Sequence, residues 1–280
     1  VMLSDNEENL THYLKSGTIK TDLLNVRSFK FYADGALGSR GACLLEPYSD
    51  VTDSVHHGFL LRPISYYREN AQKMVDAGFQ MNTHCIGDSA SRLLLDIYGS
   101  ILPENNDNRW RIEHCQVVDP EDLSKFAKFG VIPSVQPTHA TSDMYWAADR
   151  LGENRVKNAY AYKTLLQQLG FLALGTDFPI ESIDPLKTFY AAVVRKDQKG
   201  FPENGYQMEN ALSRKEALMG MTIWAALANF EESEKGSLEV GKFADFVVLE
   251  RDILKVADDE LNNNKVTATF INGQQVYPAK

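Results

Sequence analysis

The chain has 280 residues, 44% hydrophobic and 24% charged, the balance of an ordinary globular protein. Its net charge of -9, with no basic block, argues against nucleic acid and against docking on an anionic membrane. No apolar run approaches the ~20 residues that cross a bilayer.

The N-terminus, Val1-Met2-Leu3-Ser4-Asp5, is neither a signal peptide nor a usual start, and it reads as a cut from a longer protein. Localisation is therefore hidden, with the cytoplasm as the default. From about residue 26 to 232, short strand-like and helix-like segments alternate. Val26 to Tyr32 has period two: Ser28, Lys30, Tyr32 and Asp34 share one face, and Phe29, Phe31 and Ala33 share the other. A polar strand face of this kind suggests a barrel interior, with the apolar face beneath outer helices. Gly35, Gly38 and Gly41 punctuate a loop able to fold over a site at that strand's end. No helix with a Gly-Lys-Ser or Gly-Lys-Thr start follows, so it is not read as a phosphate cradle.

Met81-Asn82-Thr83-His84 reads as the next strand. Asp88 opens a helix in which Ala90, Leu93, Leu94, Ile97 and Ile101 recur at helical spacing. Arg111-Ile112-Glu113-His114 is a strand, and Asp119-Pro120-Glu121-Asp122 starts a helix that ends near Gly130. Val131 to Gln136 follows as a strand, and Val156 to Leu169 as a helix stopped by Gly170. Leu172 to Asp177 is strand-like, and Asp184-Pro185 opens a helix through Arg195. Ser213-Arg214-Lys215-Glu216 is a capping box for a helix to about Phe230. This alternation predicts parallel strands with right-handed crossovers. About five strands precede residue 180, fewer than a closed eight-stranded barrel needs. After Gly236 a strand over Gly241 to Leu249 and a hairpin over Val266 to Tyr277, with an Asn-Gly turn, predict a small β unit. The expected domains are 1–235 and 236–280.

Four of the strand-like segments carry a potential metal ligand at or near their carboxyl end: Lys30, His84, His114 and Asp177. His84 and His114 are one strand-helix repeat apart, which puts them at equivalent places on neighbouring strands. Both imidazoles then come within reach of one ion at ~2.0–2.1 Å; the plainer alternative is two unrelated core histidines. Lys30 has three readings: an ion-pair partner of an acid such as Asp34, a Schiff-base lysine, or a lysine carbamylated into a metal bridge. Asp177, in Gly175-Thr176-Asp177-Phe178-Pro179, is read as a ligand and proton acceptor or as a loop acid. Glu113 is expected on the strand face opposite His114. His139, after Gln136-Pro137-Thr138, either lines a substrate pocket or lies in a surface loop. Cys43, Cys85 and Cys115 form no CxxC pair and read as small buried thiols.

The segments Lys30 to Arg40, Thr83 to Asp88, Arg111 to Cys115, Ser134 to His139, Gly175 to Pro179 and Lys235 to Asp245 resemble the amidohydrolase superfamily. The resemblance is to its YtcJ-like, N-substituted formamide deformylase-like branch, and it runs from about residue 25 to 277. It implies an α/β fold, the (β/α)₈ barrel of metal-dependent hydrolases, here about strands four to eight, with a small C-terminal β-sandwich remnant. On that resemblance Lys30 matches the strand-four lysine, often carbamylated. His84 and His114 match the strand-five and strand-six ligands, and Asp177 the strand-eight acid. The implied cofactor is a divalent metal, with zinc expected, as one or two ions. The implied reaction is hydrolysis of a carbon-nitrogen bond in an amide or formamide-like molecule. The family's first-strand His-x-His pair has no counterpart in these 280 residues. That departure leaves two rivals standing, a metal-free domain without activity and a Schiff-base lyase using Lys30.

Overall fold

The computed structural model describes residues 1–51 and 55–278, so the last two residues of the 236–280 segment lie outside it. Two compact units emerge: Val1–Val135 with Tyr145–Gly170, and Gln136–Met144 with Phe171–Lys280.

The first unit is built on parallel strands. They are β1 (Met2–Ser4), β4 (Ser28–Tyr32), β5 (Gln80–Cys85), β6 (Arg111–His114) and β7 (Ile132–Val135), paired in the order β1-β4-β5-β6-β7. Two short strands, β2 (Ile19–Lys20) and β3 (Asn25–Val26), pair antiparallel beside them. Helices Ile64–Ala77, Asp88–Ile101 and Leu123–Phe129 make the crossovers. The register sets the strand ends side by side: Lys30 pairs with Asn82, Tyr32 with His84, and Cys85 with His114.

The period-two reading of the β4 segment holds in space. Phe29, Phe31 and Ala33 are fully buried. Phe29 meets Phe79 edge-on at 5.2 Å, and Phe31 meets Tyr66 of helix Ile64–Ala77 at 6.3 Å. Each such aromatic contributes roughly 1.5–3 kcal/mol by leaving water. The helix signals hold too. Asp119 caps a 3-10 turn, Pro120–Asp122, that runs into Leu123–Phe129, and Gly130 ends it in the left-handed region at φ 63°. Only a residue without Cβ adopts that conformation cheaply.

Three expectations change in this unit. Met2–Ser4, read from sequence only as an unusual start, is a strand, β1, paired in parallel with Ser28–Lys30. A three-residue strand carries no local pattern; only its pairing creates it. Glu7–Ser16 is a helix capped by Asn6, whose side chain accepts from Asn9 N–H. Its Asn-Glu-Glu start is a legible signal, a cap followed by acids against the dipole, although no helix was expected there. The helix expected over Val156 to Leu169 is broken into a 3-10 turn, Val156–Asn158, and a helix, Tyr162–Leu169. Between them Tyr160 N–H donates to Gln116 O, and Ala159 bridges to Val117. Those non-local bonds replace the helical ones.

In the second unit β8 is only Ala173–Leu174, shorter than the strand expected to reach Asp177. Asp177 has φ 56°, which no strand residue adopts. Asp184 caps helix Pro185–Val194 as expected. The Ser213-Glu216 capping box is present, but its helix breaks at Thr222 into Arg214–Met221 and Ile223–Ala228. The turn at Gly236 passes so close there that a Cβ would stand 2.8 Å from the Ile223 Cα. Strands β9 (Phe246–Leu249), β10 (Val266–Ile271) and β11 (Gln274–Tyr277) form an antiparallel sheet ordered β11-β10-β9. Asn272 and Gly273, at φ 49° and 78°, make the expected hairpin turn. Among the described residues no helix is long and apolar enough to cross a membrane.

Candidate metal centre

The first unit brings two of the expected ligands together, with Lys30 on the strand next to that of His84. His84 and His114, at the carboxyl ends of neighbouring strands, have ring centroids 4.5 Å apart, nearly edge to face. The Tyr32 ring lies 5.3 Å from that of His84, and Lys30 Nζ lies 5.1 Å from the Tyr32 ring centre. Both histidines are largely buried: 5% exposure for His114, 13% for the His84 side chain.

His114 reaches this position through its backbone. Strand alternation pairs it with Cys85, whereas Glu113 pairs with His84. At His114 the chain turns to φ 80°, and at Cys115 to φ 45°, which ends the alternation and re-aims the ring. Non-glycine residues held there are uncommon and cluster at functional sites.

Glu113 sits one residue before that turn. It lies in register with His84, close enough to Lys30 to feel its charge. Burial alone raises its carboxyl, but the Arg111 guanidinium, Lys30 and a Ser134 hydrogen bond together hold it below the ordinary carboxylate range. Its Oε1 accepts from Arg111 Nε at 2.8 Å. Asp34, expected as a possible partner for Lys30, instead receives backbone N–H groups from Cys43, Ile86 and Gly87 and faces His84 Nε2 at 3.7 Å. Burial pushes its carboxyl up to about 7 against the pull of those donors.

The second unit places His139 beside Asp177, Nε2 to Oδ2 3.7 Å. His139 is in helix Pro137–Asp143, buried at 6% exposure, so the surface-loop reading fails. Burial lowers its imidazole to about 4 and keeps it neutral. Pro137 at the first helical position sets this helix, a signal the sequence contains. Asp177 is about one-third exposed.

The chemistry of the first-unit donors suits a divalent cation. Two neutral-capable imidazoles side by side at strand ends are a borderline-soft donor pair. Asp34 lies 3.7 Å from His84, and Glu113 is in register with it on the neighbouring strand.

The amidohydrolase family model matches residues 2–277. The protein LONG AFTER FAR-RED 3 of Arabidopsis thaliana is 34% identical over 271 residues, 95% of this chain and 45% of that protein. A putative amidohydrolase, YtcJ, of Bacillus subtilis is 34% identical over 250 residues, 89% of this chain and 47% of that one. The crystal structure of an uncharacterized metal-dependent hydrolase from Pyrococcus horikoshii superposes with a TM-score of 0.80 at 32% identity, over 92% of this chain and 51% of that one. The chain thus spans about half the length of the relatives it matches.

Proposed function

The chain belongs to the amidohydrolase family, and on that premise we propose that it serves a metal-dependent hydrolase of carbon-nitrogen bonds in amide or formamide-like molecules. The observation that supports this most is the His84–His114 pair, with ring centroids 4.5 Å apart at neighbouring strand ends. In this reading residues 1–235 are about strands four to eight of a (β/α)₈ barrel, and 236–280 are strands of a β-sandwich. Further copies of the chain are its expected macromolecular partner.

His84, His114, Lys30 and Asp177 are proposed to hold the cation, zinc by the chemistry of the imidazole pair. When bound, a divalent cation polarises a carbonyl and brings the pKa of water to roughly 7. The protein's own groups then do the rest. His84 and His114 bind through neutral imidazole nitrogens. Lys30 binds as a carbamate, an anion that an unmodified amine does not offer. Asp177 accepts a proton from water at a carboxylate oxygen and returns it to the leaving nitrogen. His139, neutral through the working pH range, contacts the substrate without competing for that proton.

Metal analysis of the purified protein, with amide hydrolysis followed before and after chelation, tests the reading. Bound zinc that falls in His84→Ala and in His114→Ala, together with loss of hydrolysis on chelation, is the expected result. Normal metal content in both variants, or turnover indifferent to chelation, refutes it.

A further inference from the structure

Asp34 takes no part in that chemistry, yet it is 1% exposed and carries a carboxylate. Such a group needs a reason to be buried, because desolvating an ion is costly. Its surroundings supply one. Oδ2 accepts the backbone N–H of Cys43 and of Gly87, each at 2.8 Å, and Oδ1 accepts that of Ile86 at 3.0 Å. Three donors from two separate segments fix both the place and the plane of the carboxylate.

What the fixed carboxylate faces is His84. Oδ1 lies 3.7 Å from His84 Nε2, longer than a hydrogen bond but near enough for the oxygen to attract a proton carried on that nitrogen. The backbone of His84 is held from the same place: the N–H of Ala33, the residue before Asp34, donates to His84 O at 2.9 Å. Gly87 makes the arrangement possible. A Cβ there would stand 2.0 Å from Cys43 O, so the turn after β5 packs directly on the loop that shares Asp34. Asp88 repeats the stitch, its Oδ1 accepting Leu45 N–H at 2.8 Å and Ser89 N–H at 2.9 Å. The loop from 42 to 45 is thereby tied to the turn after His84.

We propose that Asp34 is a positioning residue: it holds the His84 ring with Nε2 turned to its own Oδ1, and so leaves Nδ1 as the nitrogen that meets a divalent cation. This rests on the metal reading of His84. A neutral imidazole has one N–H and one lone pair. A carboxylate against one nitrogen selects the tautomer protonated there and makes the opposite nitrogen the more basic donor. Because three backbone N–H groups anchor Asp34, the choice is built into the fold and precedes any ligand.

The test uses zinc as the probe, with two readouts besides activity. In zinc-loaded protein labelled with ¹⁵N-histidine, His84 is assigned by its loss in His84→Ala. The expected spectrum shows Nε2 protonated and Nδ1 bound to metal. Zinc affinity by chelator competition is expected to fall ten- to a hundred-fold in Asp34→Asn, the usual cost of removing a group that orients a ligand. Trp110→Phe removes a different buried bond, from the residue before β6 to Phe79 O before β5, and serves as the destabilised control with unchanged affinity. Nε2 on the metal overturns the proposal, as does Asp34→Asn affinity within twofold of the unaltered protein or no weaker than the control. If Asp34→Asn does not fold, the nitrogen spectrum of the unaltered protein decides. Zinc bound through His84 but indifferent to Asp34 defeats this proposal alone; no zinc bound by the unaltered protein defeats the metal reading and this one with it.

Discussion

Acid should unfold this protein partly through His139, and the size of the effect comes from its burial. The ring is 6% exposed in helix Pro137–Asp143, and its folded pKa is about 4 against an ordinary 6.5. The folded state thus prefers the neutral ring, while the unfolded chain takes up a proton near pH 6.5. The stability this contributes is fully present above pH 6.5. It drains away as pH falls through the window from 6.5 to 4, by up to about 1.4 kcal/mol per pH unit and roughly 3 kcal/mol in all. Asp177 opposes the trend, since its carboxylate 3.7 Å from Nε2 favours a charged ring. That carboxylate is about one-third exposed and screened by water, so burial dominates and a loss of about 2–3 kcal/mol is expected. The assay is urea unfolding at pH 7.5, 6.5, 5.5 and 4.5, comparing the protein with His139→Gln at matched slope. Glutamine keeps a polar side chain of similar reach but does not titrate in this range. The difference in stability between the two should shift by about 2–3 kcal/mol across the series, in favour of the variant at low pH. Parallel curves, within ~0.5 kcal/mol of each other at every pH, would refute the argument from burial.

Lys30→Ala should abolish amide hydrolysis by the active protein, and added short carboxylic acids should restore part of it if a carbamate is the working form; failure of restoration alongside intact zinc content argues for an unmodified lysine. Asp177→Asn preserves shape but removes a proton acceptor, so turnover should fall by ~10²–10⁴-fold with substrate affinity little changed. Near-normal turnover would move the base elsewhere. Glu113→Gln leaves the Arg111 guanidinium, itself 8% exposed, without its anion, and should cost roughly 3–5 kcal/mol. Thermal melting checks this, and a shift of a degree or less would show that the pair is dispensable.

Local rules settled much of this chain. The alternation in Ser28–Tyr32 marked which side would be packed, because pleating alone sends Phe29 and Phe31 to one face. The caps at Asp119, Asp184 and Ser213 marked helix starts, because a side-chain oxygen answers a backbone N–H two or three residues on. The hairpin turn at Asn272-Gly273 was equally plain, because few residue pairs tolerate two positive φ angles. The thirty-residue spacing of His84 and His114 pointed to neighbouring strand ends, where their rings meet.

Other features came only from chain segments distant in sequence. Strand β1 exists because Met2–Ser4 finds the edge of Ser28–Lys30, and the break at Tyr160 because its N–H finds Gln116 O. The backbone turn at His114 brought its ring against that of His84, which alternation alone does not predict. Asp34 was legible as a polar residue on the right face, but not as the carboxylate that faces His84. That role depends on N–H groups from Cys43, Ile86 and Gly87, up to 53 residues away, converging on one side chain. Sequence determined most of the elements, since propensity, periodicity and capping act within a few residues. Tertiary structure decided the partners of the buried charges, since a group taken out of water is satisfied by whatever the fold brings to it.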